Sequence, residues 1–159
     1  MKKIHTIAFT TMALLLGMAI PSYGMDSATL HDQPGRYRVL LANGEKVIYG
    51  DMDSLATQET RDLPSSIENM SLTLYQENYA VNPDAMAFAM GKTVTSISEY
   101  QAVLYGNKAN YQFKLQPSLT ACYTPQGEAL EKKDNQKFLS QAEVEDVYRT
   151  LFRLIRTRN

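Results

Sequence analysis

The sequence predicts an α+β domain in which an antiparallel sheet of about five or six strands carries a C-terminal amphipathic helix on one face. Three observations support this class. The Asn43-Gly44 pair lies between two aliphatic runs, as in a β-hairpin. Polar and apolar residues alternate along residues 69–79 and again along 111–116, which is the period of a half-buried strand. Residues 140–156 instead repeat their apolar positions at the period of an α-helix.

The first 24 residues have the three parts of a secretory signal peptide. Lys2 and Lys3 precede a 14-residue apolar stretch, Ile7 to Ile20, which is too short for a bilayer span of about 20 residues. Small side chains then lead to Gly24, so we predict cleavage after Gly24. We therefore expect an exported protein, periplasmic or secreted, with no transmembrane segment in the mature chain.

The mature chain is expected to be a single α+β domain over residues 36–159. Residues 25–35 (MDSATLHDQPG) are polar and turn-rich, and we predict that they form a flexible lead-in. Without the two leader lysines, 14 basic residues stand against 17 acidic ones, a net charge of −3. A nucleic-acid binder usually carries a basic excess, so no nucleic-acid partner is expected.

The predicted elements follow one another along the chain. Residues 36–50 form the hairpin, and a two-residue turn would place Ala42 opposite Glu45. Residues 50–66 are a polar connection with room for one helical turn, and residues 69–79 form the central strand. Asn82-Pro83-Asp84 has the composition of a helix start, which predicts a short helix after it.

Residues 91–106 admit two interpretations. One is a helix from Ser98 to Gly106. The other is a meander of three strands, at residues 100–105, 111–116 and 119–124. We prefer the meander because the loop at residues 106–110 has the glycine and asparagine content that a hairpin loop needs.

The last element, residues 140–156, is the clearest helix of the chain. Ser140 and Glu143 form a capping box at its start. Arg149, Arg153 and Arg156 follow one another along the side opposite the apolar arc. This arginine row is either a dock for an anionic surface or acidic partner, or the solvated face of an ordinary packed helix, which is the commoner case.

Tyrosine is the most over-represented residue type. The mature chain has nine tyrosines, four phenylalanines and no tryptophan. Tyrosine suits recognition surfaces, because its ring offers apolar contact and its hydroxyl a polar group, and it also suits strands. The candidate partner-binding residues are therefore Arg149, Arg153, Arg156, Tyr105 and Tyr111.

Few residues are available for catalysis or metal binding. After the leader, His31 is the only histidine and Cys122 the only cysteine. His31 lies in the expected lead-in, and a Cys122 nucleophile would need a base beside it. Asp51-Met52-Asp53 resembles the start of a calcium-binding loop, but the match does not continue. Leu55 and Ala56 occupy the positions where that loop needs a ligand and a glycine. We predict no catalytic residue, no metal site and no cofactor.

Two segments carry a family resemblance, VIYGDMDSL (47–55) and SEYQAVLYGNKANYQFKLQPSLTACYTPQGEAL (98–130). With the order of the predicted elements, they resemble the surface-adhesin protein E-like domains of exported bacterial proteins. The chain departs from that pattern at Gly50-Asp51, where a Val-Asp pair is expected, and no binding residue is carried over. The resemblance implies an antiparallel sheet with a helix and, in some members, binding of host or surface ligands.

These observations together predict an exported envelope binding protein without catalytic activity. It would be an adhesin-like module, or a periplasmic inhibitor or immunity protein, and its partner would be another protein or an envelope ligand. The alternative is a small periplasmic hydrolase that uses carboxylates or Cys122.

Overall fold

A computed structural model describes residues 23–59, 67–80, 93–107, 112–133 and 138–157. Within these ranges the chain forms one seven-stranded antiparallel sheet and two helices. The strands are β1 (Tyr37–Ala42), β2 (Lys46–Asp51), β3 (Ala56–Glu59), β4 (Ile67–Tyr79), β5 (Val94–Asn107), β6 (Gln112–Tyr123) and β7 (Ala129–Leu130). The helices are α1 (Ser27–Asp32) and α2 (Gln141–Thr157).

The strand order is β1-β2-β4-β5-β6-β7, and β3 pairs with the first part of β4. The predicted α+β class is confirmed, since the C-terminal helix packs against an antiparallel sheet. The sheet has seven strands where about five or six were expected, because β3 and the two-residue β7 add short pairings.

The predicted hairpin is present, but its register differs from the prediction. Ala42 pairs with Val47 and not with Glu45. The side-chain oxygen of Asn43 accepts hydrogen bonds from the backbone N–H groups of Glu45 and Lys46 at 2.9 and 3.0 Å. These bonds stabilise a longer loop, in which no glycine needs the positive φ of a two-residue turn.

The larger core lies between α2 and one face of the sheet. Its most deeply buried members come from β2, β4, β5 and α2: Ile48, Met70, Leu72, Leu74, Leu104, Val147 and Leu151. The predicted alternation along β4 is confirmed, because Met70, Leu72 and Leu74 all face this core. Burying each large aliphatic side chain contributes roughly 1.5–3 kcal/mol to folding.

Both sides of the sheet contact the start of α2. The amide of Gln141 donates to the backbone oxygen of Phe113 in β6 at 2.9 Å. Two residues later, Glu143 accepts a hydrogen bond from Asn43 at 3.1 Å and lies 3.2 Å from the Lys46 ammonium. Strands from opposite sides of the sheet therefore both reach the first turn of α2.

The predicted capping box of α2 is confirmed. The Ser140 N–H donates to Glu143 Oε2 at 2.8 Å, and the Glu143 N–H donates to Ser140 Oγ at 3.3 Å. Burial alone would raise the pKa of Glu143, but the hydrogen bonds from Ser140 and Lys46 outweigh it and hold this pKa below its ordinary 4.5. Burial would also raise the pKa of Asp51, but the Arg36 guanidinium and the backbone N–H groups of Asp53 and Ser54 together keep this pKa below its ordinary 3.8.

We expect the fold to lose stability in acid. A carboxyl group whose pKa is lower in the folded chain than in the unfolded chain binds fewer protons when folded. Its contribution is complete above the ordinary carboxyl pKa and is lost as the pH falls through the folded value. Urea denaturation should show a steady free energy of unfolding above about pH 5 and a decline below it. Glu143→Gln should make that decline shallower, and an unchanged slope would contradict the assigned role of Glu143.

The strand interpretation of residues 91–106 is confirmed in the described part of this segment, because β5 runs from Val94 to Asn107. The alternative helix from Ser98 to Gly106 is wrong. The two predicted strands at 111–116 and 119–124 form one strand, β6. Pro117 and Ser118, which lie between the two predicted strands, pair with Ala102 and Gln101 of β5, so no turn separates them. The register shifts once, at Thr120, opposite Glu99 and Tyr100.

Residues 25–35 differ from the predicted flexible lead-in, because they contain α1. Asp26 caps this helix by accepting a hydrogen bond from the Thr29 N–H at 2.6 Å. Leu30 is buried against a second, smaller core on the other face of the sheet, together with Tyr37, Tyr49, Tyr75 and Ile97. Tertiary packing stabilises a helix of six residues that would be unstable alone.

Two predictions fall largely outside the described residues. These are the signal peptide, of which only Tyr23 and Gly24 are described, and the short helix after Pro83. In the described ranges, no helix has both the length and the apolar character needed to cross a membrane.

Candidate functional site

The arginine row of α2 borders a groove with an aromatic floor. The groove has a volume of about 520 Å³. It is lined by Phe113 of β6 and six residues of α2: Tyr148, Arg149, Phe152, Arg153, Arg156 and Thr157. We call this surface the arginine groove.

The floor consists of three neighbouring aromatic rings. The ring centroids of Phe113 and Tyr148 lie 4.3 Å apart, and the Tyr148 and Phe152 rings are nearly parallel at 6.4 Å. Phe113 and Tyr148 are buried, whereas Phe152 is partly exposed. Packing thus fixes Phe113 and Tyr148 in place, and the partly exposed Phe152 ring lines the groove beside them.

Gly106 of β5 allows Tyr148 to reach its position in this floor. A Cβ at Gly106 would come within 2.3 Å of the Tyr148 ring. The Tyr148 ring therefore packs directly on the backbone of β5, because Gly106 has no side chain.

We expect Gly106→Ala to lower the free energy of unfolding by about 1–3 kcal/mol, as overpacking does elsewhere. Gly44→Ala is the matched control, because a Cβ at Gly44 has nothing within 4 Å. Its effect should stay within about 0.5 kcal/mol. Equal effects of the two substitutions in urea denaturation would contradict the close approach of Tyr148.

The three arginines differ in their contacts. Arg149 lies 3.7 Å from Glu145, four residues earlier, but its side chain is still 63 % exposed. Arg156 places its guanidinium 5.4 Å from the centre of the Phe152 ring. Arg153 is exposed and has no ion-pair partner among the residues that the structure describes. The rim of the groove therefore carries positive charge that the described part of the chain does not neutralise.

The two candidate tyrosines do not join the arginines in the described structure. Tyr105 follows Leu104, which faces α2, so its side chain lies on the opposite face of the sheet. Its hydroxyl donates to the Gln116 side chain at 3.3 Å. Tyr111 lies outside the described residues.

Sequence reasoning missed Phe113 and Phe152 as site residues. The signal for Phe113 was present, because the alternation along 111–116 puts Phe113 on one face with Leu115. What the sequence did not indicate is that Phe113 packs against Tyr148, beside the arginines of α2.

Comparison with known proteins gives no match to a family model, to a curated protein or to a solved structure. The geometry and charge of the chain itself are therefore the basis for a functional proposal.

A second polar centre lies under α1, on the other face of the sheet. Glu77 of β4 is fully buried, and its Oε2 lies 3.0 Å from His31 Nε2, 3.0 Å from the Tyr49 hydroxyl and 3.1 Å from the Tyr79 hydroxyl. Burial and the nearby Glu77 carboxylate raise the pKa of Tyr79 to about 12 and that of Tyr49 further. Both phenols therefore stay protonated and donate hydrogen bonds to Glu77. The Tyr49 bond joins β2 to β4, and the His31 contact joins α1 to β4.

His31 and Cys122 are not brought together. Cys122 pairs with Ser98, and both side chains face the α2 side, with Sγ and Oγ 4.0 Å apart. His31 contacts Glu77 on the α1 side. In the described ranges, no three acidic, histidine or cysteine side chains cluster closely enough to hold a metal ion.

Proposed function

We propose that this protein is an exported, non-catalytic binding protein of the bacterial envelope, and that it holds its partner protein in the arginine groove. The observation that carries the proposal is the combination, in one concave surface, of three arginines with an aromatic floor. An inhibitor or immunity protein, which occludes another protein, belongs to this class, as does an adhesin-like module.

The chemistry of the groove supports this proposal. Guanidinium groups form bidentate hydrogen bonds with carboxylates, and they are enriched with aromatic rings at the centres of protein interfaces. Residues of these two types also contribute most of the binding energy in many interfaces. A volume of about 520 Å³ is enough to enclose one or two large side chains of a partner.

The placement of the potentially catalytic residues supports binding over the alternative hydrolase. A cysteine nucleophile needs a base within hydrogen-bond reach, and the sheet separates Cys122 from His31. Among the carboxylates, Asp51 already accepts two hydrogen bonds from the Arg36 guanidinium, at 2.9 and 3.0 Å, one on each oxygen.

Site-specific photo-crosslinking in the producing bacterium tests the binding proposal. A photo-crosslinking amino acid at Thr157, which lines the groove, should give one discrete product with an envelope protein that mass spectrometry identifies. The double variant Arg153→Glu/Arg156→Glu should reduce the yield at least about tenfold, because it reverses the charge of the rim.

The matched control is Lys132→Glu/Lys133→Glu. This variant makes the same change in net charge at two exposed residues that do not line the groove. It should leave the crosslink unchanged. The proposed groove would be contradicted if both double variants gave the same crosslinking yield, either both at the wild-type level or both below it.

Export is tested independently of binding. N-terminal sequencing of the protein from the envelope fraction should give Met25 as the first residue, as expected from cleavage after Gly24. Recovery of the protein only in the cytoplasm, with the leader intact, would contradict export.

A further inference from the structure

The arginine row repeats at the spacing of a helix surface. An α-helix rises 1.5 Å per residue, so Arg149 and Arg156 are separated by about 10 Å along the axis of α2, with Arg153 between them. A second helix lying alongside α2 has the same spacing if its acidic residues are at position i, at i+3 or i+4, and at i+7.

The groove also has the direction of α2. Six of its seven lining residues belong to this helix, from Tyr148 to Thr157, which is about 13 Å of its length. The aromatic floor runs beside the arginines over the same turns. An occupant therefore meets a strip of apolar surface bordered by a parallel strip of positive charge.

An extended strand fits this surface less well than a helix. Strand addition uses free backbone groups at a sheet edge, and β6 is the strand that borders the groove. The Phe113 carbonyl already accepts a hydrogen bond from Gln141 at 2.9 Å. Further along β6, Pro117 has no N–H to donate.

We propose that the occupant of the arginine groove is an acidic amphipathic helix of the partner protein. Its carboxylates pair with Arg149, Arg153 and Arg156, and an apolar side chain between them packs on Phe152. This inference rests on the proposed function and specifies the partner class of the same site. Recognition of this kind, a helix laid into an apolar groove, is read through anchors spaced three, four and seven residues apart.

Fluorescence anisotropy with two synthetic peptides tests the inference. Each is about 16 residues long, and both have the same composition. The first places Glu at positions i, i+3, i+4 and i+7 around one Phe, with its prolines at the ends. The second moves two prolines to the centre, which breaks the helix. The mature protein should bind the first peptide at least about tenfold more tightly than the second.

A charge swap tests the contact itself. Arg153→Glu should weaken binding of the helical peptide about tenfold, and a peptide with Lys in place of the Glu at i+4 should recover part of that loss. Lys132→Glu, the matched control, should change the affinity for either peptide less than about twofold.

Each outcome has a distinct meaning. Equal affinity for the helical and the proline-broken peptide, with dependence on Arg153, would overturn the helix inference and leave the proposed binding groove intact. Arginine-dependent binding to phosphatidylglycerol vesicles that is tighter than binding to the helical peptide would overturn it as well. If the crosslinking yield is also unchanged in the Arg153→Glu/Arg156→Glu variant, the proposed function is wrong, and this inference is wrong with it.

Discussion

Leu151→Ala is expected to lower the free energy of unfolding by about 3 kcal/mol, within the 2–5 kcal/mol range of buried leucine truncations. Leu151 is fully buried in the core between α2 and the sheet. Removing its side chain loses apolar burial and leaves a cavity in the core between α2 and the sheet. Urea denaturation followed by circular dichroism measures the change.

The control for Leu151 is Arg149→Ala on the same helix. Arg149 is mostly exposed, so its loss should change stability by no more than about 0.5 kcal/mol. A cost below about 1 kcal/mol for Leu151→Ala would mean that α2 does not pack on the sheet as described.

Glu77→Ala is expected to cost about 3 kcal/mol of stability, because it leaves the buried Tyr49 hydroxyl and the partly exposed Tyr79 and His31 without their common partner. Tyr49, Tyr79 and His31 all direct a polar atom at the same Glu77 oxygen. Thermal and urea denaturation of the purified variant measure the loss. Exchange of the amide hydrogens of α1 should also become faster, since His31 loses its contact with the sheet.

Glu77→Gln is the matched variant for this centre. It keeps the length of the side chain and one acceptor oxygen, so we expect it to retain at least half of the stability that Glu77→Ala loses. Identical stabilities for the alanine variant and the wild-type protein would contradict the role assigned to the buried carboxylate.

The elements that the sequence predicted well are those whose signals are local. The capping box of Ser140 and Glu143 and the helical period after it define α2 within a single segment. The alternation along residues 69–79 defines β4 in the same way. The hairpin was also found, but its register depends on how the Asn43 side chain bonds within the turn, which the residue pattern does not specify.

Contacts between distant segments could not be predicted. Helix α1 spans fewer than two turns, which is too short to show a repeating apolar pattern. Its contact on the sheet, Glu77, lies 46 residues from His31. A histidine in a polar stretch near a chain terminus gives no local sign of that carboxylate. The prediction of a flexible lead-in was therefore wrong. Tertiary contacts order this segment, and the local sequence gives no sign of them.

The candidate site was predicted in part. The arginine row follows from the helical period alone, and the structure places all three arginines along one groove. Its aromatic floor depends on how β6 packs against α2, which brings Phe113 to Tyr148. Tyr105 was chosen from the excess of tyrosine, whereas strand alternation after Leu104 places it on the other face.

The most direct test of the arginine groove is a nuclear magnetic resonance titration of the ¹⁵N-labelled mature protein with the acidic helical peptide. The proposal predicts that amide shifts change mainly from Tyr148 to Thr157 and at Phe113. It also predicts that Arg153→Glu/Arg156→Glu removes these changes and that Lys132→Glu/Lys133→Glu preserves them. Shift changes centred instead on α1 and the tyrosines beneath it would contradict the groove as the binding surface.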